Sequence, residues 1–217
     1  MVPVLIVPVL NRYDLLARLI LSIDHPVGVL HIIDNGGKYQ NVPNDYVQDT
    51  VVWRVPDNLG AATSWNFGII ANQSAPWWLI AGNDNYFHPG ALATFAAEAR
   101  QDAVILSAAI PAWTAFTIGD RVITKVGLFD DNFHPAYFED NDYADRCQHF
   151  SVDVIQGNAK VHHDNSSTIH SDRQLFEWNH TVSFPASQSY YSWKRSANDY
   201  TAGRIDLFRR KRTAFPK

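Results

Sequence analysis

The chain has a single cysteine, Cys147, among its 217 residues. One thiol excludes an internal disulfide, so nothing in the cysteine usage argues for secretion. No apolar run approaches the roughly 18 residues that a membrane-spanning helix needs. The opening stretch 1-MVPVLIVPVLNR-12 is apolar, yet it lacks a basic leader and contains Pro3 and Pro8. It therefore makes a poor secretory signal, and a soluble, cytoplasmic protein is the expectation. Two glycine motifs are also missing. There is no GxGxxG after the first apolar run, and no GxxxxGK followed by Ser or Thr, so the dinucleotide and P-loop readings lose their usual signals. No repeat, low-complexity segment or obvious linker interrupts the chain.

What is present is a globular composition, 46% hydrophobic and 13% aromatic, with a net charge of −4. The charge is unevenly spread. Lys194 to Lys217 carries 8 basic and 2 acidic residues, and the rest carries 10 basic and 20 acidic. The end 204-RIDLFRRKRTAFPK-217 is basic and studded with aromatics. Two readings stand side by side: a solvated tail, or a patch for an anionic acceptor, nucleic acid or membrane surface.

Apolar runs alternate with helical patterns through the first half. Residues 2–10 read as a buried strand. Residues 11–23 place Leu15, Leu16, Leu19, Ile20 and Ile23 at helical spacing, with Asp14 in the first turn. Strands are predicted at 28–34, 50–55, 76–81 and 103–110, and helices at 61–73 and 89–99. This order specifies an α/β protein with a mostly parallel, Rossmann-like sheet flanked by helices. Ligands of such sheets bind at the carboxyl ends of the strands. Polar clusters fall there: Asn11-Arg12, Asp34-Asn35, Asp57-Asn58 and Asp84. Turns favour Asp and Asn on their own account, but four clusters on one rim point to a shared ligand site. In the second half, 114–130 mixes strand and turn signals and 138–150 reads as a helix with an acidic start. Residues 152–167 suggest two short strands around Gly157-Asn158, and the last 45 or so residues look helical and aromatic-rich.

Five blocks, in order, carry a resemblance: 7-VPVLNRYDLLARLILSI-23, 32-IIDNGG-37, 58-NLGAATSWNFGI-69, 78-WLIAGNDNYFHPGAL-92 and 126-VGLFDDNFHPAYFEDNDYADR-146. Together they resemble glycosyltransferase family 2, inverting enzymes of the GT-A (nucleotide-diphospho-sugar transferase) fold, across roughly residues 2–165. The resemblance implies a GT-A catalytic domain over 1–170, with a nucleotide-sugar half at 1–110 and an acceptor half at 111–170. A helical, basic extension at 171–217 matches no known pattern.

The resemblance also implies roles. Asp34 would accept a hydrogen bond from the donor's base, which suits a uracil- or thymine-type N–H and so a UDP- or dTDP-sugar. Val7, Pro8 and Asn11 would line the nucleotide, and Asn58, Gly60 and Asn66 would approach the donor, with Gly60 allowing close backbone contact. Asn83 and Asp84 belong to a reduced DxD motif, in register with Pro89, in which Gly82 replaces the first acid. Asp84 would then hold Mn²⁺ or Mg²⁺ against the diphosphate, completed by a histidine of the His162-His163 pair. Side chains alternate along a strand, so one of the two faces the site, and the register slightly favours His162. Gly82→Asp is expected to be tolerated. Asp140 would be the general base, with Glu139 holding it or the acceptor, and Asp142 in support. Acids also gather at helix starts to complement the dipole and cap free N–H groups. Two functions follow: an inverting glycosyltransferase, or a sugar-nucleotide-binding protein on the same fold without turnover. The acceptor is left open among nucleic acid, glycan, lipid and protein, a modified nucleic acid held by the basic tail being one candidate.

Overall fold

The computed structural model describes residues 1–164 and 170–202. Strand β1 (Val2–Val9) shows how the fold is set. Its odd positions Leu5, Val7 and Val9 enter one hydrophobic cluster, and its even positions Val4 and Ile6 enter a second. Apolar residues on both faces demand a layer on each side, the condition of a central strand in a doubly covered sheet. Helix α1 (Tyr13–Leu21) supplies Leu16, Leu19 and Ile20 to the first cluster. Helix α2 (Gly60–Ile70) supplies Ala62, Trp65 and Ile69 to the second.

The other strands are β2 (Val27–Asp34), β3 (Val47–Arg54), β4 (Trp77–Ala81), β5 (Asn85–Phe87), β6 (Ala103–Leu106), β7 (Ala115–Gly119), β8 (Asp153–Gln156) and β9 (Val161–His163). Seven form the main sheet in the order β3-β2-β1-β4-β7-β6-β8. Only β7 runs against its neighbours. Helix α3 (Ala91–Glu98) packs Leu92 and Phe95 beside α1, while α4 (Asp120–Val126) and α5 (Glu139–His149) cover the opposite face with α2. Cys147 lies in that second cluster, and burial raises its thiol pKa to about 12.

Two strand boundaries differ from expectation. The fifth predicted strand, 103–110, ends at Leu106, because Ser107 and Ala108 turn to hydrogen-bond Ala115 and Ala159. The third begins at Val47, since its pairing with β2 runs from Val27↔Val47 to Asp34↔Arg54. The two strands expected around Gly157-Asn158 both form but do not pair with each other. Strand β8 joins β6 in the main sheet, and β9 pairs with β5 in a separate two-stranded sheet.

The C-terminal part is helical, as α6 (Arg173–Trp178), a π-helical turn (Asn179–Ser183) and α7 (Phe184–Ala197). It is fixed to the sheet domain by buried charge. Lys194 Nζ lies 2.7 Å from Asp130 Oδ2 and 2.7 Å from Asp142 Oδ1, and Arg146 Nε lies 2.9 Å from Asp142 Oδ2. Lys194 is thus no part of an exposed basic patch, contrary to the charge reading of 194–217. The segment 204–217, which carries the anionic-acceptor expectation, lies outside the described residues. Among the described residues no helix is long and apolar enough to cross a membrane.

Candidate active site

The carboxyl ends of β1, β2 and β4 open into one cavity of about 340 Å³. Pro8, Val9 and Leu10 line it from β1, Asn35 from β2, and Gly82, Asn83 and Asp84 from β4. Asn58, Gly60, Ala61 and Trp65 line it from the start of α2. The rest of the lining is Pro135, Ala136, Tyr137, Glu139 and Asp140 at the entry to α5, with Pro111, His163 and Leu175. Of the residues singled out from sequence, Pro8, Asn58, Gly60, Asn83, Asp84, Glu139, Asp140 and His163 therefore share this one cavity.

Val7 is buried in the first hydrophobic cluster, Asp142 pairs with Lys194 and Arg146, and four others also do not line the cavity. Asp34 is fully buried, and its carboxylate accepts from Tyr13 Oη at 2.6 Å, Gly37 N at 2.9 Å and Tyr39 N at 2.9 Å. It closes its own turn, and burial together with this hydrogen bond lifts the Tyr13 phenol to about 12. Asn35, the next residue, faces the cavity instead. Its Oδ1 accepts from Leu59 N at 2.7 Å and its Nδ2 donates to Ser64 Oγ at 3.1 Å, which fixes the start of α2. Asn66 is buried and makes a two-way clamp on the backbone of Phe129, 2.9 Å in each direction. That clamp ties α2 to the loop before α5 rather than aiming at a donor. Asn11 uses its backbone carbonyl to accept from Asn83 Nδ2 at 3.2 Å.

The fourth is His162, and here the small sheet decides. Antiparallel pairing sets His163 opposite Asn85 and His162 opposite Tyr86. His163 Nε2 comes to 3.3 Å from Asp84 Oδ1. His162 points the other way, stacks on Tyr86 at 4.8 Å and pairs with Asp164 at 3.3 Å. The histidine facing the site is His163, not the one slightly favoured by sequence register. The Asp164 amide donates to the Asp84 carbonyl at 3.0 Å, and Asp164 is ion-paired with Arg18 of α1, so both ends of the pair are anchored.

The Asp84–His163 pair fits a hard divalent cation. Ligand atoms on adjacent corners of an octahedron with bonds of 2.0–2.1 Å stand roughly 3 Å apart. The Nε2–Oδ1 separation is 3.3 Å, and His163 Nδ1 is buried with no hydrogen-bond partner among the described residues. No group of three or more His, Cys, Asp or Glu side chains gathers among those residues. Two candidate ligands alone would leave the rest of a metal's shell to phosphate oxygens and water. A Cβ at Gly82 would lie 2.9 Å from Asp84 Oδ1 and 3.2 Å from Asn85 Nδ2, the ends of two side chains, so a side chain at 82 requires a small shift of the carboxylate beside it.

Gly60 is constrained by a different neighbour than expected. Its φ is +76°, and a Cβ would meet Pro135 O at 2.6 Å. The Ala61 amide donates to the same carbonyl at 2.7 Å. The close approach that glycine permits is to the loop carrying the acidic wall, which docks that loop on α2.

Glu139 and Asp140 open α5. Burial, with the Asp140 charge adding to it, raises the Glu139 carboxyl to about 8, and burial raises Asp140 as well. Glu139 Oε2 is buried with no hydrogen-bond partner among the described residues. At neutral pH Glu139 therefore holds a proton. Asp142 points away from the cavity into the Lys194–Arg146 cluster. Sequence reasoning missed Trp65, Pro111, Tyr137 and Leu175 as cavity residues. Apolar side chains carry no chemical signature, and Leu175 reaches the site from a distant segment.

No family model matches the chain, and no curated protein matches it by sequence. Solved structures do. The catalytic domain of Drosophila β1,4-galactosyltransferase 7, in complex with xylobiose, aligns with a TM-score of 0.53 at 13% identity over 78% of this chain and 72% of that one. A variant of that enzyme, in complex with manganese, UDP-Gal and xylobiose, aligns with a TM-score of 0.51 at 13% identity over 78% and 73%. TarS of S. aureus aligns with a TM-score of 0.55 at 15% identity over 74% of this chain, which spans 36% of TarS. These likenesses identify the architecture: the chain has the GT-A glycosyltransferase fold, a mostly parallel sheet flanked by helices with a helical C-terminal region.

Proposed function

We propose that the chain is an inverting glycosyltransferase of the family 2 type. It would move a sugar from a nucleoside-diphosphate donor to a hydroxyl acceptor. The observation that carries this reading is the shared cavity, which is lined by both the Asp84–His163 pair and Glu139–Asp140. A candidate cation-binding pair and a carboxylate pair in one cavity at the ends of a mostly parallel sheet suit transfer between a diphosphate and an alcohol.

Asp140 acts as general base. It takes the proton of the acceptor hydroxyl as that oxygen bonds to the anomeric carbon, and the bond to the diphosphate oxygen breaks with its electron pair leaving on the diphosphate. Attack from the face opposite the leaving group inverts the carbon. Glu139, protonated at neutral pH, adds no second charge beside Asp140 and has a hydrogen bond to donate. Asp84 and His163 would hold Mn²⁺ or Mg²⁺, whose chemistry is to offset charge on the departing diphosphate. Asn35 and Asn58 brace the start of α2, where the donor's nucleotide would approach. Galactosyltransferase 7 has been captured with manganese and UDP-Gal, a donor and metal of the kind proposed here. The proposed division places donor binding in 1–110 and acceptor binding in 111–170, with Leu175 of the C-terminal part adding to the acceptor wall.

The test is a screen of nucleotide sugars with and without Mn²⁺, reading thermal stabilisation and then donor turnover. The expected result is stabilisation by one donor class and metal-dependent turnover that Asp140→Ala removes. Nucleotide binding with no turnover on any acceptor would instead favour a binding protein.

A further inference from the structure

Two successive residues before the acidic pair adopt a backbone conformation that L-residues avoid. Tyr137 has φ 78° and Phe138 has φ 72°. Bulky side chains in this region are outliers, and they persist only where the surroundings hold them. The Phe138 side chain gives no cap to α5, so helix capping does not supply the hold.

The hold comes from α7. The Phe184 ring packs against both strained residues, with centroids 5.2 Å from Tyr137 and 5.2 Å from Phe138. Two turns further along the same helix, Tyr191 stacks on Phe138 at 5.5 Å with planes 28° apart, and its hydroxyl donates to Asp145 Oδ2 at 2.8 Å. Lys194 then reaches Asp142 at 2.7 Å. Phe184, Ser187, Tyr191 and Lys194 follow a three-four-three spacing, which places them on one face of a helix. Ser187 and Lys194 are buried on that face. Helix α7 thus grips residues 137 and 138 on one side of the carboxylate pair and 142 and 145 on the other.

We propose that α7 is a positioning clamp: through Phe184, Tyr191 and Lys194 it holds the strained Tyr137–Phe138 turn and the first turns of α5, and so sets where Glu139 and Asp140 stand in the cavity. The C-terminal segment is then part of the catalytic apparatus rather than an appendage. This inference rests on the reading of Glu139 and Asp140 as the reacting acids, but its physical content, the hold on 137–142, is measurable without turnover.

The experiment uses the full chain and four variants: Phe184→Ala, Tyr191→Ala, Tyr191→Phe and Lys194→Met. Amide hydrogen exchange is followed over the whole chain, UDP with Mn²⁺ is titrated by thermal shift, and kcat and donor KM are measured. Expected for Phe184→Ala and Tyr191→Ala is exchange at least tenfold faster at 137–142 than in wild type, with other segments of 1–130 unchanged. UDP affinity and donor KM should stay within about twofold while kcat falls at least tenfold. Tyr191→Phe keeps the ring and should restore both the slow exchange and kcat. Unchanged exchange at 137–142 in these alanine variants, a rise spread evenly over the whole chain, or a loss confined to KM each overturns the clamp. If Phe184→Ala does not fold, Tyr191→Ala and Lys194→Met carry the same reading. If wild type turns over no donor, the proposed function fails and exchange alone decides the clamp.

Discussion

Replacing Glu139 by Gln tests the acidic wall directly. The carboxyl is buried, and its pKa stands near 8 against an ordinary value of 4.5. The native state therefore keeps the Glu139 proton up to about pH 8, while the unfolded chain releases it above about 4.5. Between those values the native state binds one more proton than the unfolded state, so stability falls as pH rises. The slope for one proton is about 1.4 kcal/mol per pH unit. Integrated over the whole window, the loss approaches roughly 5 kcal/mol in the wild type. Gln has the same shape and no charge, so Glu139→Gln lacks this loss. Asp140 is raised by burial too, but it is present in both proteins and largely cancels in their difference. Urea unfolding at pH 5, 6, 7 and 8 reads the effect. The two proteins should be nearly equal at pH 5, and the variant should gain on the wild type by up to about 1.4 kcal/mol with each further pH unit. A difference that stays constant from pH 5 to 8 would refute the picture of Glu139 as a buried, protonated acid.

Three further outcomes follow from the geometry. His163→Ala should abolish the added thermal stabilisation by Mn²⁺ with UDP, while His162→Ala should leave it within about twofold in apparent Kd; equal effects of the two would break the Asp84–His163 assignment. Gly82→Ala should weaken Mn²⁺-dependent UDP binding, because the new Cβ displaces Asp84 Oδ1 from 2.9 Å; unchanged affinity would show that the carboxylate is not held where it is needed. Gly60→Ala should cost about 1–3 kcal/mol from its positive φ alone, with the contact to Pro135 adding to it, and a urea midpoint equal to wild type would contradict the docking of 135 on α2.

The sheet was legible because its signals are local. The run of Leu15, Leu16, Leu19 and Ile20 has a helical period by itself, and the two-faced burial of β1 needs no partner to be read. The placement of polar clusters at strand ends follows from the same pattern. Which member of a cluster faces the cavity does not. At the end of β2 the choice falls on Asn35 rather than Asp34, since the Asp34 carboxylate is spent on Tyr13, Gly37 and Tyr39. Between His162 and His163 the choice belongs to β5, a strand some 75 residues earlier, whose pairing register fixes which ring meets Asp84. Gly60 was legible as a site of close approach, but the approaching group is Pro135, again distant in sequence.

The C-terminal part shows the same limit for charge. Lys194 stands first in a stretch whose formal charge reads as a basic surface, and counting cannot tell a solvated lysine from a buried one. What distinguishes it is the need of others: Asp130 and Asp142 are both buried, and an uncompensated buried carboxylate is costly. Arg146 serves Asp142 alone through its Nε, and spends its other nitrogens on the carbonyls of Val126 and Leu128. A second cation is therefore required in the same place, and the chain brings it from α7, more than fifty residues downstream of Asp142. That requirement is why a segment matching no known pattern still has to be present for the acidic helix to fold as it does.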